Sequence, residues 1–340
     1  MLKLRVKLDT LLCGIMFLCI CYITVRYCDL NDYRAYYLSY CTNRKMSIEI
    51  GYTALESLFF QMGMPFYVYY GILEITGLFL YMRFFRSNCR NAFPILCLMI
   101  IFPYINMLQQ VRSIIGAAFA VYGTRYLLEE KPRTVPFIVC AGIGTLFHTT
   151  TILYLLFLPA VKANYARLRR FTFWLFATAL PLMAVIRLIV ARIVSAIPYM
   201  AMKYTKLLYT GNIFTKTVLF DWALFFMLFL AVSYVIKTKT TQLSERTGKL
   251  INITHVVFCL TLLRGTANNG YRIALMMYPV MYVALYNLMR EMTSRRGKGI
   301  IRWILILFPI VCLLFWWGPV FPDMFRIVRT EMWRVWDYFY

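Results

Sequence analysis

Read for its polar and apolar positions, the chain is a series of long apolar runs separated by short basic clusters. The apolar runs fall at roughly 8–27, 64–82, 91–109, 111–128, 171–194, 216–236, 250–265, 272–290 and 301–318. Each reaches or approaches the ~20 residues a helix needs to cross a bilayer. They are continuous rather than alternating, which excludes a transmembrane β-barrel. The pattern predicts an all-α fold: a polytopic transmembrane helix bundle of about 9–10 spans, with residues 1–340 forming a single integral membrane domain.

Basic clusters orient the runs, because short cytoplasmic loops collect Lys and Arg. Lys3, Arg5 and Lys7 put the N-terminus inside. Arg83, Arg86 and Arg90 mark an inner loop, as do Lys131 with Arg133, and Lys162 with Arg167, Arg169 and Arg170. Between Arg133 and Lys162 lie 28 residues, "TVPFIVCAGIGTLFHTTTILYLLFLPAV", with both flanks basic. Two full spans need about 40 residues, and one span would strand basic residues outside. The expectation is a re-entrant helical hairpin at 134–161, turning through Gly142, Gly144 and Thr149–Thr151 with His148 near its tip. The alternative is one long tilted helix. Amphipathic interfacial helices are expected at 48–62 and 323–340. In the first, Glu49, Thr53 and Glu56 form a polar stripe beside Tyr52, Leu55, Phe59 and Met62.

Composition agrees with this reading and narrows it. The chain is 61% hydrophobic and 15% charged, well below the roughly 25% charge of soluble domains. The N-terminal basic-then-apolar stretch lacks a small-residue cleavage site and reads as a retained first span rather than a signal peptide. Lys plus Arg number 37 against 14 acidic residues, but the excess sits in short loops, so the positive-inside rule explains it without nucleic acid. The ten cysteines lie mostly in apolar runs without metal-ligand spacing. Cys28 and Cys41 share one outer loop and are the pair within which a disulfide is conceivable. No metal site, P-loop or nucleophile elbow is visible, and no cofactor is called for.

Arginine in an apolar run asks for a partner, hydration or a path to the interface. Arg112, Arg187, Arg192, Arg264 and Arg272 all fall in the outer halves or outer ends of spans. Gln109, Gln110, Asn268 and Asn269 are their hydrogen-bonding neighbours. Arginines converging on one side suit an exogenous anion, since guanidinium forks match phosphate oxygens. A lipid-borne pyrophosphate is such an anion. The plainer readings are snorkelling for Arg187 and Arg192, loop capping for Arg264 and Arg272, and helix-end bonding for Arg112. Glu74 and Asp221 are possible internal partners, and His148 is either a packed core histidine or a functional one.

One stretch, "QQVRSIIGAAFAVYGTRYLLEEKPRTVPFIVCAGIGTLFHTTTILYLLFLPA", resembles the EpsG family of Wzy-type polysaccharide polymerases. Arg112 with Ser113, Tyr126-Leu127 and Phe147-His148-Thr149 match that family's motifs in order and approximate spacing. "DYRAYY", "EIGYTALESLFFQMG" and "GYRIALMMYPV" are similar to its other motifs, and the likeness runs over roughly residues 29–285. Here Gln110 precedes Arg112, where the family often has a glutamine directly after the arginine.

The resemblance implies a metal-independent glycosyltransferase, similar to the multi-spanning GT-C enzymes. Its substrate would be undecaprenyl-pyrophosphate-linked oligosaccharide repeats at the outer leaflet of the bacterial inner (cytoplasmic) membrane. Its product would be O-antigen, capsule or exopolysaccharide. A flippase and a chain-length regulator would be its protein partners. On that reading Arg112, Arg264 and Arg272, with Arg187 and Arg192, would bind pyrophosphate, and His148, Asp32 and Glu49 are the candidates for the catalytic base. Tyr33, Tyr36, Tyr37 and Tyr52 are candidates for stacking on sugars, and Gln109 and Asn268 for hydrogen bonding to them. The competing classes are a flippase for the same lipid-linked substrate and a membrane O-acyltransferase. A flippase should show more spans and a two-fold repeat, neither of which is evident in the sequence.

Overall fold

The computed structural model describes residues 2–26, 31–43, 49–104, 110–179, 181–182, 185, 188–189, 192, 216–239, 243–265 and 274–317. Every element among them is helical. The contacts divide into two compact units, residues 1–155 with 305–340, and residues 156–304.

The first unit contains α1 (Leu2–Arg26), α2 (Asn31–Cys41), α3 (Ile50–Gln61), α4 (Phe66–Asn88), α5 (Phe93–Met99), α6 (Val111–Leu127) and α7 (Thr134–Phe147). At its centre is α6, packed along α4 on one side and α7 on the other. The composition of α6 explains this: "IIGAAFAVYG" is small and apolar nearly all round, and small residues let membrane helices approach closely. Asp9 of α1 accepts hydrogen bonds from the Ala92 and Phe93 amides at 3.2 and 3.1 Å, supplying a negative charge to the head of α5. The second unit contains α8 (Phe157–Lys162), α9 (Tyr165–Ala177), α10 (Lys216–Lys239), α11 (Glu245–Thr261) and α12 (Tyr278–Glu291). Here α11 is central, in contact with α8, α9, α10 and α12. Glu291 at the end of α12 accepts from Ser244 N, Ser244 Oγ and Thr247 Oγ1 at 2.9, 2.7 and 2.6 Å, fastening the start of α11. The last helix, α13 (Arg295–Trp317), is divided between the units at residue 304.

The described residues of the nine apolar runs lie mostly in helical segments. Among the described residues Val218–Lys237 and Arg295–Phe315 are long and apolar enough to cross a membrane, each with a mean hydropathy of 2.1. The 134–161 run departs from its expected form. Gly142 and Gly144 stay inside α7, and the break falls at His148, whose backbone is extended (φ −153°, ψ 116°). A 3₁₀ turn over Thr149–Leu156 then leads into α8. The two pieces measure about 21 Å and about 25 Å, and neither alone matches the ~30 Å of a hydrocarbon core.

The helix expected at 48–62 is α3; Tyr52, Leu55 and Phe59 of its expected apolar face pack on the core, but Glu49 and Glu56 of the polar stripe are buried as well. Glu49, Tyr52 and Glu56 are buried, whereas Ile50, Leu58 and Met62 are exposed. Two carboxyls of the polar stripe thus face the fold, where ionisable groups in an apolar protein find partners. Cys41 carries a free thiol, while Cys28 lies outside the described residues, as does the helix expected at 323–340.

Candidate functional site

The first unit gathers one ionisable cluster from three helices that are distant in sequence. Glu49 occupies the N-cap position of α3, where its carbonyl accepts the Thr53 amide at 3.0 Å. Arg112 is the second residue of α6. His148 ends α7, its amide donating to the Gly144 carbonyl at 2.9 Å.

Arg112 Nη1 donates to Glu49 Oε2 at 2.6 Å, and Arg112 Nε donates to the Tyr36 hydroxyl at 3.1 Å. The guanidinium also lies over two rings, 5.1 Å from the Tyr36 centroid and 5.7 Å from that of Tyr52. A cation at a helix N-terminus opposes the helix dipole. The carboxylate and the ring faces offset that penalty and the desolvation that burial brings. The other carboxylate oxygen, Glu49 Oε1, is 3.4 Å from His148 Nδ1, within ion-pair reach but without hydrogen-bond geometry. Glu49 is therefore flanked by both basic groups. Its side chain is 6% exposed, while those of Arg112 and His148 are each 24% exposed. The acid is enclosed and the two bases form the accessible edge.

Behind this cluster stands an aromatic wall. Tyr33, Tyr37, Tyr40, Tyr52, Phe66, Tyr69 and Tyr70 form a buried core in which Tyr33 meets Phe66 and Tyr70 edge-on. Tyr69 donates to the Tyr52 carbonyl and Tyr40 to the Met64 carbonyl, at 3.2 and 2.5 Å. Burial pushes the Tyr52 phenol well above its ordinary pKa, so it stays neutral beside Arg112. Tyr33 and Tyr52, expected to stack on sugars, are only 3% and 1% exposed. The ring that combines contact with Arg112 and partial exposure is Tyr36.

Arg112, read in the sequence as a residue for an exogenous anion or for helix-end carbonyls, pairs with Glu49, 63 residues earlier. The separation conceals the pair from any reading of local spacing. Glu74, considered as an arginine partner, is fully buried in α4, and neither carboxyl oxygen has a hydrogen-bond partner among the described residues. Gln110, the N-cap residue of α6, is 5% exposed with Oε1 unpartnered. It stands two residues before Arg112, in the place where the sequence reading favoured Gln109. Gln109, Arg187, Asn268 and Arg272 lie outside the described residues. Asp32 and Arg264 lie in helical backbone, their side chains outside the described ones. Arg192 is exposed, in the second unit. His255, the other histidine, lies in the second unit, 1% exposed, with Nδ1 against the Ile251 carbonyl at 2.9 Å.

Helices this apolar, two of them long enough to cross a bilayer, mark a helical membrane protein. The chain belongs to the EpsG family, whose model matches residues 8–325, nearly the whole chain. That family is Wzy-type polymerase-like and belongs to polysaccharide biosynthesis. Neither a curated protein nor a solved structure matches the chain.

Proposed function

We propose that the protein is a polysaccharide polymerase that transfers a growing glycan from undecaprenyl pyrophosphate onto the sugar of another lipid-linked repeat. The Glu49–Arg112–His148 constellation, in a chain of this family, is the observation that carries the reading. Protein and reaction reside in the bacterial cytoplasmic membrane, with the N-terminus cytoplasmic and the site facing outward.

In the reaction an acceptor hydroxyl attacks the anomeric carbon of the donor. A new glycosidic C–O bond forms, the anomeric C–O bond to phosphate breaks, and undecaprenyl pyrophosphate leaves with the electron pair. His148 takes the hydroxyl proton and later releases it to water. Glu49 beside it stabilises the imidazolium that forms. Arg112 faces the charge that develops on the leaving phosphate, a contribution worth several kcal/mol in a water-poor site (~3 for one such donor). Tyr36 supplies an aromatic surface for a sugar.

The test is glycan length in a strain lacking the gene, complemented with wild type, His148→Ala or Arg112→Lys at matched membrane levels. Both variants are expected to leave single-repeat glycans. Full-length polymer from both removes the assignment. In reconstituted vesicles the wild type lengthens the lipid-linked substrate, whereas a flippase would move it with its length unchanged.

A further inference from the structure

We propose that Gly51 and Gly116 are positioning residues that set where His148 stands relative to Glu49 and Arg112; this rests on the catalytic reading of that cluster. The last turn of α7 is gripped from two sides. On one side, a Cβ built on Gly116 of α6 would lie 2.8 Å from the Gly144 carbonyl oxygen, 2.8 Å from Thr151 Oγ1 and 3.1 Å from His148 Cβ. The contact is reciprocal, because a Cβ on Gly144 would collide with the Gly116 carbonyl. On the other side, a Cβ on Gly51 of α3 would lie 2.9 Å from Leu146 Cβ and 3.0 Å from the Leu146 carbonyl oxygen. Distances below about 3 Å to backbone atoms leave no room for a side chain, so the helices must separate to accept one.

The placement of these contacts gives them their meaning. Gly51 comes two residues after Glu49, Gly116 four residues after Arg112, and Gly144 four residues before His148. Each ionisable residue thus sits about one turn or less from a backbone-to-backbone contact. The break at His148 adds to this. Its amide closes the last turn of α7 on Gly144, and its carbonyl accepts the Thr151 amide at 2.9 Å. The position of the imidazole is therefore inherited from the Gly116–Gly144 crossing rather than from contacts of its own ring. A displacement of about 1 Å at a reacting group can lower a rate by about a hundred-fold. Gly142 provides the internal control, because it lies in the same helix and a Cβ there would meet nothing within 4 Å.

The chain contains two histidines, which makes the test clean. In purified full-length protein carrying isotope-labelled histidine, His148 reports the site and His255, buried in the second unit, reports global folding. Gly116→Ala is expected to shift the His148 resonance, leave that of His255 in place and reduce polymer formation by about a hundred-fold. Gly51→Ala, a second variant against α7, is expected to do the same more mildly, and Gly142→Ala to change nothing. An unmoved His148 resonance in both Gly116→Ala and Gly51→Ala overturns the proposal. So does a simultaneous loss of the His255 signal in both, which would make the glycines general packing residues. A shifted His148 resonance with normal polymer leaves the positioning intact and refutes the catalytic reading instead.

Discussion

Glu49 Oε2 lies 2.6 Å from Arg112 Nη1, joining the head of α3 to the head of α6 across 63 residues of chain. The carboxylate is nearly enclosed and the guanidinium a quarter exposed. The pair therefore behaves as a buried ion pair on the acid's side and a partly screened one on the base's side. Such a pair is expensive to break from one end, since the remaining charge stays desolvated.

Arg112→Ala is accordingly expected to destabilise the purified protein by about 3 kcal/mol, the lower end for a buried pair because the guanidinium is partly hydrated. Arg112→Ala combined with Glu49→Gln should recover part of that loss without recovering polymer. Thermal unfolding of the single and double variants in detergent measures both effects. Equal destabilisation by the single and double variants would falsify the ion-pair account.

His148→Gln is expected to retain the wild-type unfolding temperature, because its ring meets Glu49 at 3.4 Å without hydrogen-bond geometry. Polymer formation should fall by about a hundred-fold or more, the range for loss of a general base. Rate measurements on a purified lipid-linked substrate test this, and a variant within two-fold of wild type assigns the proton transfer elsewhere.

Tyr36→Phe removes the hydroxyl that accepts from Arg112 Nε and keeps the ring under the guanidinium. Loss of a hydrogen bond from a charged donor costs about 1.5 kcal/mol, so a roughly ten-fold drop in rate is expected. Tyr36→Leu, which also removes the aromatic face, should fall further and raise the substrate concentration needed for half-maximal rate. Equal kinetics for the two variants would remove the ring from substrate binding.

Glu74 offers a contrast, as a carboxyl that is fully buried and lacks a hydrogen-bond partner among the described residues. Replacing an orphaned polar group by an apolar one of similar size is neutral or stabilising, by up to about 2 kcal/mol. Glu74→Leu is expected to raise the unfolding temperature with polymer length unchanged. A loss of polymer in a stable Glu74→Leu protein would give this carboxyl a functional role.

Much of the fold was legible along the chain. Apolar runs predicted the helices, because a backbone in lipid must satisfy its own hydrogen bonds and helices do so locally. The basic clusters and the small residues of α6 were readable too, since each depends on residue type and near neighbours. What the sequence did not reveal depended on distance in the chain. The polar stripe of α3 was weighed against water, whereas Glu49 and Glu56 are turned inward beside the apolar face. The partner of Arg112 was invisible because its carboxylate lies in another helix. The break in 134–161 was expected through Gly142, Gly144 and Thr149–Thr151; it falls at His148 and Thr149, while the two glycines stay in α7, Gly144 against Gly116. Composition and periodicity thus determined that this is a helical membrane protein with a few charged residues at its span ends. Only the tertiary structure decided which of those charges meet, because backbone approach between α3, α6 and α7 sets the side-chain distances that no local spacing encodes.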